Sequence, residues 1–441
     1  FSSASLAYAS LASATLATSY FAKSTLAKSH LKKKKYLTKK NPLVKSKINH
    51  VSSHLRSRAT KALACHAAKG DFVLQECSEC QYISYPPRDR CPKCWGVLTW
   101  KHQKRHATLL AETTIHSTTD LYFREHVPWR IGTILLDVGP TAFAHLHSNV
   151  QVGDKLKIHV MLDRSGNPAL FAMPRKVTVN MEEDYQYSQF TASPKGKRIL
   201  ISDGRTEIGQ KLTYELIKAG AEIVYLGNAD SNLRFEGQDS ISKHKNVKII
   251  PLNLLSTKSV KECSQQYGGK VDILINTASY VRSGSVAFSG KITEMQNAID
   301  LNVNGLTRLA KAFCPAMSAR SGDEERPAIA FLDLLSIFSL TGHPGYASLA
   351  ASSAARLSII NSLRSEMSLS GLKVFSALIG PIEDEWHQDI PPPKVTAEQI
   401  AKSVITSLKN GQELTLVGNV AKDIFEKWSA NPLLTMRETI K

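Results

Sequence analysis

Four cysteines in the sequence have the spacing of metal ligands. Cys77 and Cys80 form one Cys-x-x-Cys pair, and Cys91 and Cys94 form a second pair after ten intervening residues. Two residues between thiolates let both sulfurs of a tight turn face one ion, and two such turns complete a tetrahedral site with Zn–S bonds of about 2.3 Å. A redox or disulfide pair is the alternative, which fits paired turns less well. Because sulfur fills all four ligand positions, we expect structural rather than catalytic zinc.

A second stretch, AFLDLLSIFSLTGHPGYASLAASS, has the layout of a site for proton transfer. A strand-like run leads into a loop that carries Ser336, and a helix rich in small residues follows. A carbonyl that accepts hydride also needs a proton for the developing alkoxide, which a positioned phenol can supply. Tyr346 is the nearest phenol, whereas the helix presents Leu349 and Ser353, an aliphatic side chain and a short alcohol.

The elements that would position these residues alternate between strand and helix patterns from Lys195 onward. The candidate strands are RILIS, EIVYLG, VKIIPLN, DILINT, AIAFLDLL, KVFSALIG and ELTLVG, with helical patterns such as EIGQKLTYELIKAG between them. Apolar strands joined by helical crossovers predict a doubly wound parallel sheet of the Rossmann-like α/β class, with helices on both faces. Ligands of such sheets bind at the carboxyl ends of the strands.

The region after the cysteines has a different pattern. The runs ATLLAETTIHS, WRIGTILLDVG, TAFAHLHS and DKLKIHVMLD alternate polar and apolar residues between turn signals. Short strands at this spacing predict a small antiparallel barrel. His116, His145 and His147 lie on these strands, and we interpret them as barrel residues rather than as a second metal site.

Most of the excess positive charge lies in an N-terminal tail. The net charge is +18, but residues 1–70 contain 14 of the 56 basic residues and no acid, which leaves 42 basic against 38 acidic residues. Residues 5–34 also repeat a five-residue pattern that suits neither an amphipathic helix nor an ordinary strand. We expect a disordered, low-complexity extension; a pentapeptide solenoid and an organellar transit peptide are the alternatives.

The remaining composition indicates a cytoplasmic protein of two or three domains. The chain has 441 residues, 42% of them apolar, and seven cysteines whose usage fits a reducing compartment. No window offers about 18 consecutive apolar residues, so we expect no membrane span. The sequence begins at Phe1 rather than at methionine, so the true N-terminus is expected to be missing or processed.

The N-terminal half resembles a known pair of modules. The Cys-x-x-Cys pair, SYPPRDRCPKC, PWRIGTILLDVGP and VQVGDKL, together with a preceding helix, resemble the rubredoxin-like zinc ribbon joined to an OB fold over residues 56–175. That family occurs beside thiolases and thiolase-like acyl-CoA enzymes. The resemblance therefore implies a thiolase-type partner or an acyl-CoA ligand. OB folds also bind nucleic acid through aromatics on a basic groove, but this region has few aromatics and little net charge, so nucleic acid is the least favoured partner.

The C-terminal half resembles the short-chain dehydrogenase/reductase (SDR) family over residues 195–420, and the whole chain resembles proteins that fuse this domain to a zinc-ribbon/OB unit. The stretches ISDGRTEIGQKL, DILINTASY, IDLNVNGL and IGPIEDEWHQDIPPPKV carry the resemblance. It implies an NAD(P)-dependent oxidoreductase. Trp386 and His387 head a proline-rich segment that would cover the cleft, where we expect lid packing more than ligand contact.

The residues at the cofactor positions depart from the family pattern. The phosphate-binding turn Thr-Gly-x-x-x-Gly-x-Gly falls on residues 202–209, where Gly209 keeps the last glycine and Gly204 permits the turn. Asp203 and Glu207 replace the other two glycines, and carboxylates near phosphates in a partly dry site would repel them. NAD(P) is the cofactor that the resemblance implies, but these residues argue against its binding.

Some of the other positions on the cofactor side match the family pattern, and others depart from it. Asn276 and Gly380 match the family, whereas the acid expected to contact the ribose falls on Gly227 and the adenine-side Asp falls on Asn253.

The catalytic positions show the same mixture. The resemblance places the carbonyl-orienting Ser at Ser336 and the supporting Asn at Asn302, and both are present. It places the proton-donating Tyr at Leu349 and its activating Lys at Ser353, and Leu cannot donate a proton. Tyr346 is a doubtful substitute, because it lies three residues early.

The expected domains are a tail (1–55), a helix and zinc ribbon (56–105), an OB-type barrel (106–176), a linker (177–194), the SDR-like domain (195–420) and a C-terminal helical extension (421–441). The leading hypothesis is a scaffold or a component that binds acyl-CoA or a partner, with impaired hydride transfer and self-association. The alternatives are an active NAD(P)-dependent reductase of acyl-CoA-type carbonyls and an OB-fold nucleic-acid-binding protein.

Overall fold

The computed structural model describes residues 57–438 apart from 120, 125, 165, 177–180, 231–232 and 324–325. The predicted tail and its five-residue repeat lie outside the described residues. The elements follow the expected order, with a small β-rich part before the larger α/β part.

The N-terminal module begins with helix α1 (Arg58–Lys69), as the sequence predicted. Ser57 caps its first turn by accepting the N–H of Thr60, and Gly70 ends it with φ 73°, a left-handed conformation that favours glycine. A three-stranded antiparallel sheet follows, with β1 (Val73–Cys77) in the centre between β2 (Ile83–Ser84) and β3 (Leu98–His102).

The predicted barrel is present and closed by five strands rather than the four that the sequence indicated. These are β4 (His106–Ile115), β5 (Trp129–Leu136), β6 (Thr141–Leu146), β7 (Lys155–Leu162) and β8 (Pro168–Pro174), with helix α2 (Leu121–Arg124) before β5. The order around the barrel is β4-β5-β6-β8-β7, and only the β6–β8 pair is parallel. Closure leaves the described strands without a free edge.

The barrel histidines behave as structural residues. Nδ1 of His145 accepts the indole N–H of Trp129 at 2.8 Å, and burial lowers the pKa of His145 to about 4. Nδ1 of His147 accepts the backbone N–H of Asn149 at 3.0 Å, and His116 is exposed. His145 and His147 therefore accept hydrogen bonds from groups of the protein itself.

All seven strands predicted for the C-terminal half form one parallel sheet. They are β9 (Arg198–Ile201), β10 (Ile223–Asn228), β11 (Val247–Pro251), β12 (Ile273–Asn276), β13 (Ala330–Ser336), β14 (Lys373–Ile379) and β15 (Leu414–Val417). Their order is β11-β10-β9-β12-β13-β14-β15, so the chain reverses direction across the sheet between β9 and β12. The doubly wound Rossmann-like fold predicted from the sequence is therefore confirmed.

Helices cover both faces of this sheet and bury two separate apolar cores. Helix α3 (Tyr185–Ser188) precedes the sheet, and Tyr187 packs against the barrel. The later helices are α4 (Glu207–Lys218), α5 (Gln238–Ser242), α6 (Thr257–Tyr267), α7 (Ile292–Ala298), α8 (Leu306–Arg320), α9 (Ala347–Met367), α10 (Ala397–Asn410), α11 (Asn419–Ala430) and α12 (Pro432–Arg437). A π-helical turn, Ile299–Gly305, joins α7 to α8. None of the helices in the described part of the chain combines the length and apolar character needed to span a bilayer.

The segment predicted as a linker packs tightly between the barrel and the sheet. Tyr187 and Phe190 are buried in an aromatic cluster with Trp129 of the barrel. The ammonium of Lys373, at the start of β14, donates to the carbonyl of Leu162 in β7 at 3.1 Å and to that of Phe190 at 2.6 Å. One buried cation thus ties the barrel, the linker and the sheet together.

Candidate functional site

The four cysteines meet in two tight turns beside β1. The Sγ atoms of Cys77 and Cys94 lie 3.4 Å apart, those of Cys80 and Cys91 lie 3.6 Å apart, and all four lie within 4.8 Å of one another. Sulfurs held about 2.3 Å from a central ion would be separated by similar distances. Among the described residues, this group alone brings three or more Cys, His, Asp or Glu ligand atoms together in this way.

The backbone of the two turns folds closely around the sulfurs. The residues just after the two pairs, Gln81 and Trp95, have positive φ angles of 57° and 62°, which lets the chain fold back over the sulfurs. The N–H groups of Cys80 and Glu79 point at the sulfur of Cys77 and lower its pKa to about 7. Since zinc binds the thiolate form, the site fits a structural zinc ion with no open ligand position.

A cavity of about 710 Å³ lies at the carboxyl ends of the parallel strands, where the sequence predicted a ligand. Its walls come from the β9–α4 turn, the loop after β12, the end of β13, the first turn of α9 and the loop after β14. Ser336, Leu349 and Gly380 are among the residues that line it. The predicted catalytic loop and cofactor turn therefore share one cavity.

The turn between β9 and α4 is filled by its own side chains. The carboxylate of Asp203 accepts the backbone N–H of Arg205 at 3.0 Å and two guanidinium N–H groups of the same residue at 3.0 and 2.8 Å. Thr206 accepts the N–H of Gly209, and Glu207 adds a second carboxylate in the first helical turn. Two backbone N–H groups that could bind an anion therefore donate to side chains of the turn itself. The turn does not fit a dinucleotide pyrophosphate in the way that the resemblance implies.

The glycines of this region serve backbone packing. A Cβ at Gly209 would lie 2.3 Å from the carbonyl oxygen of Asp203, and one at Gly204 would overlap Leu226. A Cβ at Gly227 would lie 2.3 Å from the carbonyl oxygen of Ser202. No acidic side chain can therefore replace Gly227, the position expected to contact a ribose, without moving the backbone.

Asn253 and Asn276 both act within the protein. Asn253 accepts the N–H of Leu255 at 2.9 Å and shapes the loop after β11. Asn276 accepts the hydroxyl of Ser202 at 2.7 Å and donates to Asp333 at 2.7 Å. Asp333 is fully buried and paired with Arg356, which is 1% exposed. This buried network fixes β9, β12, β13 and α9 relative to one another beneath the cavity.

The predicted catalytic positions on α9 are Leu349 and Ser353. Leu349 is buried at 3% exposure and contributes its apolar side chain to the cavity wall. The hydroxyl of Ser353 is buried without a hydrogen-bond partner, behind that wall. Ser336 lines the cavity, and its oxygen accepts the N–H of Phe338 at 3.3 Å, which leaves its own proton free to donate to a ligand.

Asn302 lies in the π-helical turn, and its side chain bonds to other residues of the protein. Its side chain accepts the N–H of Tyr280 at 2.6 Å and donates to the carbonyl of the same residue at 3.1 Å. It also donates to the hydroxyl of Ser352 at 2.9 Å. Asn302 therefore holds the loop that places Tyr280, a phenol the sequence analysis did not single out, in the cavity wall.

Tyr346, the doubtful substitute donor, lies outside the set of lining residues. It is 1% exposed, and its hydroxyl donates to the carbonyl of Trp386 at 3.0 Å. Burial, together with the carboxylate of Asp389, raises the pKa of this phenol. The observed role of Tyr346 is to hold the segment that covers the cavity.

That covering segment contains Trp386 and His387, and both line the cavity. The guanidinium of Arg282 lies 3.7 Å from the centre of the Trp386 ring, a close cation–π contact across the mouth. Nδ1 of His387 lies 2.7 Å from Oδ1 of Asp384. The sequence shows the histidine but does not show its pairing directly; the three-residue spacing of Asp384 and His387 was the available signal.

Comparison with known families agrees with both halves of the structure. Residues 197–394 match the short chain dehydrogenase family, and residues 66–97 match the ChsH2 rubredoxin-like zinc ribbon. The chain joins a zinc ribbon to an SDR domain. The resemblance on which the sequence analysis relied is therefore confirmed for these two modules.

Relatives of the SDR domain cover about half of the chain. A 3-ketodihydrosphingosine reductase of Dictyostelium discoideum is 29% identical over 253 residues, which are 49% of this chain and 73% of that protein. A 3-oxoacyl-(acyl-carrier-protein) reductase of Rickettsia bellii is 26% identical over 193 residues, 43% of this chain and 74% of that protein.

One solved structure shows the same fold. A short chain dehydrogenase from Burkholderia cenocepacia, solved in complex with NADP, has a TM-score of 0.51 and 23% identity, and covers 56% of this chain and 99% of its own.

Proposed function

We propose that this chain is a zinc-stabilised binding protein whose SDR domain holds a carbonyl ligand of the acyl-CoA type and has lost the family's hydride-transfer chemistry. One observation carries the proposal: Leu349, which cannot donate a proton, occupies the cavity wall near Ser336. The hydroxyl of Ser336 can still donate a hydrogen bond to a carbonyl in this cavity. A carbonyl ligand can therefore bind, although the proton-donating step is lost.

The β9–α4 turn supports the same conclusion. Asp203 and Glu207 place negative charge where the family binds phosphates, and Arg205 is engaged by Asp203. At short range in a partly dry site, carboxylate–phosphate repulsion costs on the order of kcal/mol. Loss of the proton donor and obstruction of the cofactor turn therefore both reduce hydride transfer.

The ligand class follows from the lining and from the relatives. Apolar side chains such as Leu334, Val281 and Ile382 line much of the cavity, beside the hydroxyl of Ser336 and the guanidinium of Arg282. One N–H of that guanidinium donates to the carbonyl of Val281 at 2.6 Å. Two relatives are named as reductases of 3-ketodihydrosphingosine and of a 3-oxoacyl-(acyl-carrier-protein). A 3-ketoacyl thioester combines an apolar chain with a carbonyl that these donors can bind. We further propose a thiolase-type partner for the ribbon and barrel, and self-association of the SDR domain.

The test is a pair of titrations of the purified protein. We expect calorimetry to show binding of acetoacetyl-CoA, and we expect nicotinamide fluorescence to show no binding of NADH or NADPH in the micromolar range. Micromolar nucleotide binding together with turnover of acetoacetyl-CoA would refute the proposal.

An active reductase is the second candidate, and one observation favours it. Tyr280 is a phenol in the cavity wall, and the guanidinium of Arg282 lies 4.9 Å from its ring centre. If these two replaced the family's Tyr and Lys, Tyr280→Phe would abolish turnover whereas Tyr346→Phe would not.

A further inference from the structure

The Asp384–His387 pair gives the cavity an oriented base. A carboxylate only accepts hydrogen bonds, so the 2.7 Å contact between Oδ1 of Asp384 and Nδ1 of His387 places the proton on Nδ1. Nε2 then keeps its lone pair. His387 lines the cavity, and its side chain is only 4% exposed. An imidazole oriented by a carboxylate is the arrangement that enzymes use for proton transfer.

The ring is held on several sides. It stacks on Tyr346 with an interplanar angle of 14° and a centroid distance of 5.7 Å. The Tyr346 hydroxyl donates to the carbonyl of Trp386, and the ammonium of Lys394 donates to the carbonyl of His387 at 2.8 Å. Asp384 also accepts the backbone N–H groups of Trp386 and His387, both at 3.0 Å. The imidazole is therefore fixed before any ligand arrives, which reduces the cost of orienting it.

A partner for a carbonyl oxygen lies in the same cavity. The oxygen of Ser336 already accepts the N–H of Phe338, so its hydroxyl proton is available to a ligand. Ser336 and His387 both line the cavity of about 710 Å³. Both side chains are therefore available to a ligand that occupies this cavity.

We propose that His387 enolises a bound 3-ketoacyl thioester. Nε2 takes a proton from the carbon between the two carbonyls; the C–H bond breaks, an N–H bond forms, and the electron pair moves onto the carbonyl oxygen held by Ser336. Asp384 stabilises the imidazolium, which then returns its proton to the same carbon. The step needs no oxidant or reductant, and the inference rests on the ligand class of the proposed function.

Several charged groups surround this base. Asp384 faces Nδ1 directly, and Lys394 contacts the backbone of His387. Burial and the Asp389 carboxylate raise the pKa of Tyr346, and burial together with nearby His387 lowers the pKa of His343. Of these groups, the Asp384 carboxylate has the shortest contact with the ring.

The experiment measures exchange of the C2 protons of acetoacetyl-CoA in D₂O by ¹H NMR, with the full chain and a protein-free blank. We expect the protein to accelerate exchange at least tenfold and His387→Gln to return the rate to the blank. General-base catalysis of this kind is worth about 100-fold or more. The matched control is His343→Gln, since His343 contacts the same Tyr346 ring without lining the cavity.

Asp384→Asn tests whether His387 acts as a base or only as a structural residue. The amide oxygen can still accept the backbone N–H groups of the covering segment, so the fold is kept while the negative charge is lost. We expect Asp384→Asn to slow exchange, because the imidazolium formed by proton transfer loses its stabilising carboxylate, and Ser336→Ala to slow exchange about tenfold. An unchanged exchange rate in Asp384→Asn would contradict the role of Asp384.

Calorimetry distinguishes failure of the enolisation proposal from failure of the proposed function. If acetoacetyl-CoA binds but His387→Gln exchanges its protons as fast as the unaltered protein, the enolisation proposal is wrong and the proposed function stands. If acetoacetyl-CoA does not bind at all, the proposed function fails and this inference fails with it.

Discussion

Asp203 and Arg205 form a two-bonded ion pair across the turn that joins β9 to α4. The pair fills the place at which the SDR resemblance puts a phosphate-binding glycine. The backbone amide and the guanidinium of Arg205, which could bind an anion, are bound by the Asp203 carboxylate.

Removing the carboxylates of this turn should improve nucleotide binding. The double variant Asp203→Asn, Glu207→Gln is expected to bind NADPH at least tenfold more tightly, since relief of about 1.4 kcal/mol of repulsion corresponds to that factor. Fluorescence titration measures the change. The control Asp239→Asn, Glu262→Gln removes two acids of the same domain whose side chains are 79% and 64% exposed. Equal affinity in all three proteins would show that charge in the turn is not the obstacle.

The zinc ribbon should depend on its metal. Cys80→Ser removes one of four thiolates, so we expect loss of the single bound zinc, measured by atomic absorption, and a fall in melting temperature. Structural zinc contributes directly to folding free energy. Cys65→Ser is the control, because Cys65 is an exposed cysteine outside the cluster. Retention of one zinc ion per chain by Cys80→Ser would contradict the four-thiolate assignment.

The buried ammonium that joins the modules should make stability depend on pH. Burial lowers the pKa of Lys373 from 10.5 to about 8. Between these values the unfolded chain binds more protons than the folded one, so the contribution of Lys373 to stability rises as pH increases from about 8 to 10.5.

Lys373→Met isolates this effect. The unfolding free energy of the unaltered protein, relative to the variant, should increase by up to about 3 kcal/mol across that window, measured by urea denaturation at several pH values. Lys258→Met, at a side chain 85% exposed, should show no such trend. A flat difference for Lys373→Met would mean that the lysine is not buried as described.

The buried pair beneath the cavity should be costly to break on one side. Arg356→Met leaves Asp333 without its cation in a site that is 0% exposed, so we expect a loss of about 3–5 kcal/mol of stability. The double variant Asp333→Asn, Arg356→Met removes both charges and should recover much of that loss. Chemical denaturation compares the two, and equal destabilisation would argue against a charge effect.

Much of the fold was predictable because its signals are local. The seven sheet strands are apolar runs between helical patterns, and the cysteine spacing alone indicated zinc. Strand β8, PALFAMP, was missed because it begins and ends with proline, which normally marks a turn. The linker was taken as a spacer because the burial of Tyr187 and Phe190 depends on barrel partners distant in sequence.

The site was only partly predictable. The resemblance to the SDR family placed Ser336 and Leu349 at the ligand site, and both line the cavity. It could not show that Tyr346 turns its hydroxyl to Trp386 or that Asn302 positions Tyr280, because each contact joins segments that are distant in sequence. The Asp384–His387 pair did have a local signal, its three-residue spacing.

We propose that the SDR domain of this chain lacks hydride-transfer activity. The most direct measurement is NADPH oxidation by the purified full chain with acetoacetyl-CoA as substrate, followed by absorbance. We predict a rate equal to the protein-free blank at saturating concentrations of both compounds. Sustained NADPH oxidation that is lost in Tyr280→Phe would contradict the account.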